Sequence, residues 1–280
     1  MRRLGPKFVV ALLMCFAWMP ALAHAQDLTK AQYAEARRFA YNNSLFVLYH
    51  EVAHLLFDQL DLPILGREED AADNMATWTL LNKRTPDADR ALADAAHGWI
   101  LSGVAYDSGG VESDYAASHS LDKQRAYQIV CLMVGMDETA FRPIANEYRM
   151  ERDRQDSCYG DYDTVRRGFH SLLRHNKKGR GTHVVVTYHD AGRQLAAAAD
   201  AFRSSGVFDQ VADELRNNYS VLGTVRFNAQ RCDEANAFYD PERLEVIFCY
   251  ELMQDYMELY RESLLEAGSS GLGKKKKSKF

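Results

Sequence analysis

His50 and His54 stand four residues apart with Glu51 between them, in the run His50-Glu51-Val52-Ala53-His54. On a helix, positions i and i+4 share a face, so both imidazoles reach one point in space with Glu51 beside them. Two such nitrogens suit Zn²⁺, which in catalytic sites takes three protein ligands and a water. A third ligand is then needed downstream, and Glu68, Glu69 and Asp70 arrive fourteen to sixteen residues after His54. On a second helix, Glu69, Asp73, Ala76 and Leu80 share a face, while Glu68 and Asp70 point about 100° to either side. Glu69 therefore ranks first as the third ligand, Glu68 second and Asp70 third. Asp73, one turn on, is placed to accept the other N–H of a ligating histidine.

The chemistry open to this set is hydrolysis. A zinc ion lowers the pKa of a bound water toward 7 and polarises a carbonyl. Glu51, turned away from the metal, is the general base that moves the water proton to the leaving amine. A further group must stabilise the oxyanion. His119, expected where a helix begins after a polar loop, is the candidate, followed by Tyr106, Tyr115 and Tyr239. Asp122 and Arg125, at i and i+3, read as a structural ion pair. His97, His170, His175, His183 and His189 show no partner pattern and read as surface or core residues. A buried helix with two satisfied core histidines is the plain alternative. The turn and the acid-rich E-x-x-x-D helix that follow weigh against it.

Two packed helices must carry these groups. The first starts at the capping box Thr29-Lys30-Ala31-Gln32 and stays apolar through Phe57, with a break expected at Asn42-Asn43. Leu62-Pro63-Ile64-Leu65-Gly66 is a turn, and the second helix spans Glu68 to Arg84, stopped by Thr85-Pro86. Another helix follows from Asp87 or Asp89 to Gly103, then a loop over 104–118. An amphipathic helix is expected from His119 to Gly135, with Gly135 as its C-cap, and further helices over 138–149 and 162–175. Past a basic linker at 176–181, His183–Tyr188 is a β-branched strand. Helices over 191–203 and 206–218, a strand over 221–227 and a hairpin (235–239 and 244–249) turning at Asp240-Pro241-Glu242-Arg243 come next. A helix from Glu251 closes the chain. The fold class is α+β and mainly helical, with a small C-terminal sheet. One domain is expected over 26–268, its helical half at about 26–176 and its α/β segment at about 183–268, without internal repeats.

Residues 1–25 read as a signal peptide: Arg2, Arg3 and Lys7, an apolar run from Phe8 to Trp18, then Ala23-His24-Ala25. The run is shorter than the roughly 20 residues that span a bilayer, so no membrane span is expected after processing, and the protein is expected to be periplasmic or secreted. Residues 269–280 read as a disordered Lys-rich tail. The net charge of −5 becomes −8 without the three signal cations and −13 without the five tail lysines. Such an acidic body argues against a nucleic-acid partner, which needs a basic face. Four cysteines remain, and in an exported chain they favour two disulfides. Cys232 and Cys249 lie nearly symmetrically about Asp240-Pro241 and are expected to face each other across the hairpin. Cys131 and Cys158 then pair.

Three stretches, FVLYHEVAHLLFDQLDLPILGREEDAAD, QRAYQIVCLMVG and CDEANAFYDP…CYEL, resemble a bacterial family of putative metallopeptidases, domain of unknown function 4344. The resemblance implies a zincin-like fold and places His50, Glu51 and His54 on the zinc motif; Ala53 departs from the expected glycine. Glu69 also matches the E-x-x-A-D pattern of other small zincin-like peptidases. The expected function is peptide-bond hydrolysis by a protein holding one Zn²⁺ through His50, His54 and Glu69, acting on a peptide or protein substrate. The rival functions are an exported non-catalytic metal-binding protein and a metal-dependent hydrolase of a non-peptide, cell-wall amide.

Overall fold

The computed structural model describes residues 28–176 and 181–276, with side chains over 28–174 and 181–268. The expected signal peptide lies outside the described residues. Helix α1 (Lys30–Gln59) opens on the Thr29 box, where Thr29 Oγ1 accepts from the Gln32 amide at 3.2 Å and Gln32 Oε1 accepts from the Thr29 amide at 3.0 Å. The helix does not break at Asn42-Asn43. Asn43 Nδ2 donates to Phe39 O at 2.9 Å and to Asp94 O at 3.1 Å, and Asn42 Nδ2 donates to Asp94 Oδ2 at 2.6 Å. Tertiary partners thus satisfy the amides that would otherwise compete with the helix backbone.

Gly66, at φ 120°, ends the turn into α2 (Glu68–Lys83), whose first turn holds Glu68, Glu69 and Asp70, where the helix dipole favours acids. Pro86 and a Thr85 cap start α3 (Pro86–Ala105). A short helix, α4 (Glu112–Tyr115), interrupts the expected loop. Then α5 (Asp122–Met136) begins three residues later than the sequence suggests, leaving His119 in the segment ahead of it. Gly135 is inside α5 and is no cap: a Cβ there would lie 2.2 Å from Cys158 O, so glycine is what lets α5 close on α7. Between them is α6 (Glu138–Glu147), and α7 (Arg152–Leu172) starts ten residues earlier than expected.

The remaining elements are β1 (His183–Tyr188), α8 (Gly192–Ser205), α9 (Val207–Asn218), β2 (Thr224–Gln230), β3 (Ala237–Asp240), β4 (Glu245–Cys249) and α10 (Tyr250–Lys276). The sheet order is β1-β2-β4-β3, with β3 antiparallel at one edge and the other pairs parallel. β4 is buried along its length, as an inner strand covered on both faces must be. Buried apolar residues of the helical half and of the sheet segment form one cluster, which includes Leu48, Leu80, Val130, Phe202 and Phe248. Helix α1 packs on α2, α3, α9 and α10, which makes it the axis of the molecule. α10 runs through Lys276, into the stretch where the sequence places the Lys-rich tail.

The sulfurs of Cys131 and Cys158 lie 2.00 Å apart, tying α5 to α7, and those of Cys232 and Cys249 lie 2.05 Å apart. The second pair does not cross the hairpin. Cys249 is in register with Gln230 of β2, so the bond joins the exit of β2 to the end of its parallel neighbour β4.

Candidate metal centre

On α1 the residues Asn43, Phe46, Val47, His50, Glu51 and His54 form one stripe at i, i+3, i+4 spacing, continued by Phe57 and Asp58. The stripe faces a cavity of about 1130 Å³, closed by α2, by Trp99 and Ser102 of α3, by Leu252 and Tyr256 of α10, and by β3. Gly98 permits the close approach of α3, since a Cβ there would lie 1.9 Å from Asn43 Oδ1.

Both histidines are turned by carboxylates. His50 Nδ1 lies 2.8 Å from Asp73 Oδ1, and His54 Nδ1 lies 2.8 Å from Glu68 Oε1. A carboxylate accepts, so each Nδ1 carries the proton and each Nε2 of the neutral ring presents a lone pair. Those two Nε2 atoms are 3.1 Å apart, and Glu69 Oε2 is 3.1 Å from one and 3.4 Å from the other. Three lone pairs facing one another repel unless a proton or a metal cation sits among them. Ligand atoms at zinc distances in a tetrahedron are about 3.3 Å apart, so the three fit a metal as they stand. Glu68 occupies the far nitrogen of His54, and Asp70 does not line the cavity.

The electrostatics suit a cation. Burial opposes protonation of His50, but Asp73 and Glu69 outweigh it and push the imidazole up to about 9. Burial likewise opposes His54, and Glu69 carries it upward. Contacts from His119, then His50 and His54, hold Glu69 well below the usual carboxylate range. Burial pushes the Glu51 carboxyl up, while His50 and His54 pull it down and the Tyr239 backbone N–H donates to it.

Behind His50, Asp73 is bound by Arg125 through Nε at 2.6 Å and Nη2 at 2.8 Å. Arg125 stacks on Trp99, with its guanidinium carbon 3.5 Å from the ring centroid. Burial would raise Asp73; the Arg125 charge and hydrogen bonds hold it well below its ordinary value. The local Asp122–Arg125 pair read from the sequence is therefore not made, and Asp122 accepts from Ser102 Oγ at 2.9 Å instead. Arg125 is the site residue that sequence reasoning missed. Its signal was a cation bordering the apolar face of α5, next to Ala126.

His119 Nε2 lies 2.8 Å from Glu69 Oε2, and its ring centroid is 6.3 Å from that of His50. Arg67 fixes its backbone, Nη1 donating to His119 O at 3.2 Å. Tyr106 and Tyr239 line the cavity, donating to Asp255 and Asp58, whereas Tyr115 is exposed and does not. His97, His170, His183 and His189 lie outside it, and the His175 side chain is outside the described ones. Cys232, Cys249 and Glu251 also converge, but their sulfurs are spent on each other and Glu251 accepts from the Cys232 and Asp233 amides.

No curated protein and no solved structure matches this chain. A family model does, over residues 9–173 and 188–275, a span that includes every residue of the centre. The chain belongs to that family, DUF4344, whose description reads "Putative metallopeptidase".

Proposed function

We propose that the protein is an exported, zincin-like zinc peptidase that holds one Zn²⁺ through His50, His54 and Glu69. The observation that carries this reading is the convergence of three lone pairs, with each His Nδ1 committed to a carboxylate, on the wall of an open cavity. Structural zinc sites are closed by four protein ligands, and here three converge beside space for a substrate. Bound Zn²⁺ would lower the pKa of a water toward 7 and polarise a carbonyl.

Glu51 takes the proton from the attacking water and delivers it to the leaving amine, a role suited to a buried carboxyl pushed upward. Asp73 holds His50 in the tautomer that turns Nε2 toward the metal. His119, one contact away through Glu69, is placed to donate to the developing oxyanion. β3 is an edge strand and borders the cavity, where an extended main chain can align. Export is supported by the two disulfide-distance cysteine pairs. No helix among the described residues is long and apolar enough to cross a membrane.

The test is Glu51→Gln. The variant should bind one zinc per chain and lose peptide hydrolysis by roughly 10²- to 10⁴-fold. Wild-type turnover in that variant, or cleavage confined to non-peptide amides, would overturn the reading.

A further inference from the structure

We propose that the cleft selects cationic peptides that carry apolar residues between their basic ones. This rests on the peptidase reading and narrows it to a substrate class. Among the described residues the cavity is lined by five carboxylates, those of Glu51, Asp58, Glu68, Glu69 and Asp255, but by no lysine and only one arginine. That arginine, Arg125, is already neutralised by Asp73 behind it. A divalent metal offsets two of the five charges, so the cleft stays negative.

Two of these carboxylates lie outside the metal set. Asp58 is one turn past His54 on α1 and accepts from Tyr239 Oη and Gln59 Nε2, each at 2.7 Å. Asp255 on α10 accepts from the Tyr106 hydroxyl. Among the described residues neither is paired with a lysine or arginine, and neutral donors leave the charges uncancelled. Burial pushes the Asp255 carboxyl up, the Tyr106 bond pulls it down, and Glu258 and Glu262 push it up again. A cation brought against it relieves that cost and is bound in return.

The two acids flank the centre. Phe39 stacks on Tyr260 and Ser44 meets Met253, so α10 runs antiparallel to α1 and sets Asp255 near the level of Asn43. From Asn43 to Asp58 is roughly 22 Å of helix, the reach of about six or seven extended residues. Between the two ends, beside the metal centre, the lining includes the apolar side chains Phe46, Phe57, Trp99 and Leu252. A chain of that length with basic residues toward its ends and apolar ones at its centre matches both the charge and the floor.

The experiment uses the full-length zinc-loaded protein and three internally quenched seven-residue peptides. They share an apolar centre and carry Lys, Gln or Glu toward both ends. The expected order of kcat/KM is Lys, Gln, Glu, with Lys over Glu by about ten-fold or more at low salt, shrinking toward 1 M salt as the Debye length falls to about 3 Å. Asp58→Asn and Asp255→Asn should each reduce the Lys-over-Gln ratio by up to about five-fold, a readout that a partly folded preparation does not move. Equal rates, a Glu preference or a salt-independent ratio would overturn the proposal. Binding of the same peptides to zinc-loaded Glu51→Gln separates the two readings. A Lys preference in binding without any cleavage by the parent sinks the peptidase reading and keeps this one. Cleavage without a preference does the reverse.

Discussion

Arg125 grips both oxygens of the Asp73 carboxylate, at 2.6 and 2.8 Å, and the same carboxylate orients His50 from 2.8 Å. Both side chains are only 7% exposed, so the pair is desolvated and its charges depend on each other. Removing one partner of a buried pair leaves a stranded charge and costs about 3–5 kcal/mol, whereas removing both charges is far milder. Arg125→Met should therefore lower the thermal midpoint sharply and weaken zinc affinity by roughly 10- to 100-fold. Adding Asp73→Asn to that variant should recover much of the stability but not the metal affinity. Calorimetry and zinc competition check this; a single variant as stable as its parent would show that the pair contributes nothing.

Glu68 and Glu69 occupy different nitrogens of the histidine pair, and this separates their roles. Glu69→Ala should lose zinc, because one of three converging donors goes. Glu68→Ala should keep one zinc per chain at reduced affinity, since it removes only the partner of His54 Nδ1. Metal analysis after dialysis decides between them. Retention in the first variant and loss in the second would reverse the assignment.

His119→Ala should retain zinc and lower kcat by about 10²-fold, the usual cost of one oxyanion donor. His119→Gln keeps an N–H in reach and should restore part of the rate. Equal kcat in parent and alanine variant would reduce His119 to a contact of Glu69.

His97 packs edge-on against Phe39 and Tyr260, at centroid distances of 5.7 and 6.2 Å. Burial lowers its pKa and Asp94 only partly opposes that. The unfolded chain therefore binds the proton first as pH falls below about 6.5, so stability drops from there and levels off once the folded protein also takes the proton. In His97→Phe this part of the slope should vanish. Thermal midpoints of both proteins between neutral pH and mildly acidic pH measure the difference, and parallel curves would exclude His97 as its source.

The HExxH spacing, the acid-rich helix, the Thr29 capping box and the β1 run were legible because each is a local periodicity or an end signal that acts within a few residues. The type of each element follows from such signals with little help from the rest of the chain. What was not legible depends on partners far away in sequence. Asn42 and Asn43 look like a break until Asp94 supplies acceptors fifty-odd residues later. Gly135 looks like a cap until the backbone of Cys158 is brought against it.

The sequence alone thus determined that two imidazoles and a glutamate share one helix face, and that an acidic helix follows close enough to meet them. Only the tertiary structure decided how α2 is rotated against α1, and hence which acid takes which nitrogen: Glu69 at the convergence, Glu68 on His54 and Asp73 on His50. It also chose Asp73, 52 residues away, over Asp122, three away, as the partner of Arg125. The physical reason is the same in both cases. Spacing fixes which side chains point the same way from one helix, but rotation and partner choice are set by packing and burial, where a desolvated charge must find its complement wherever the fold brings one.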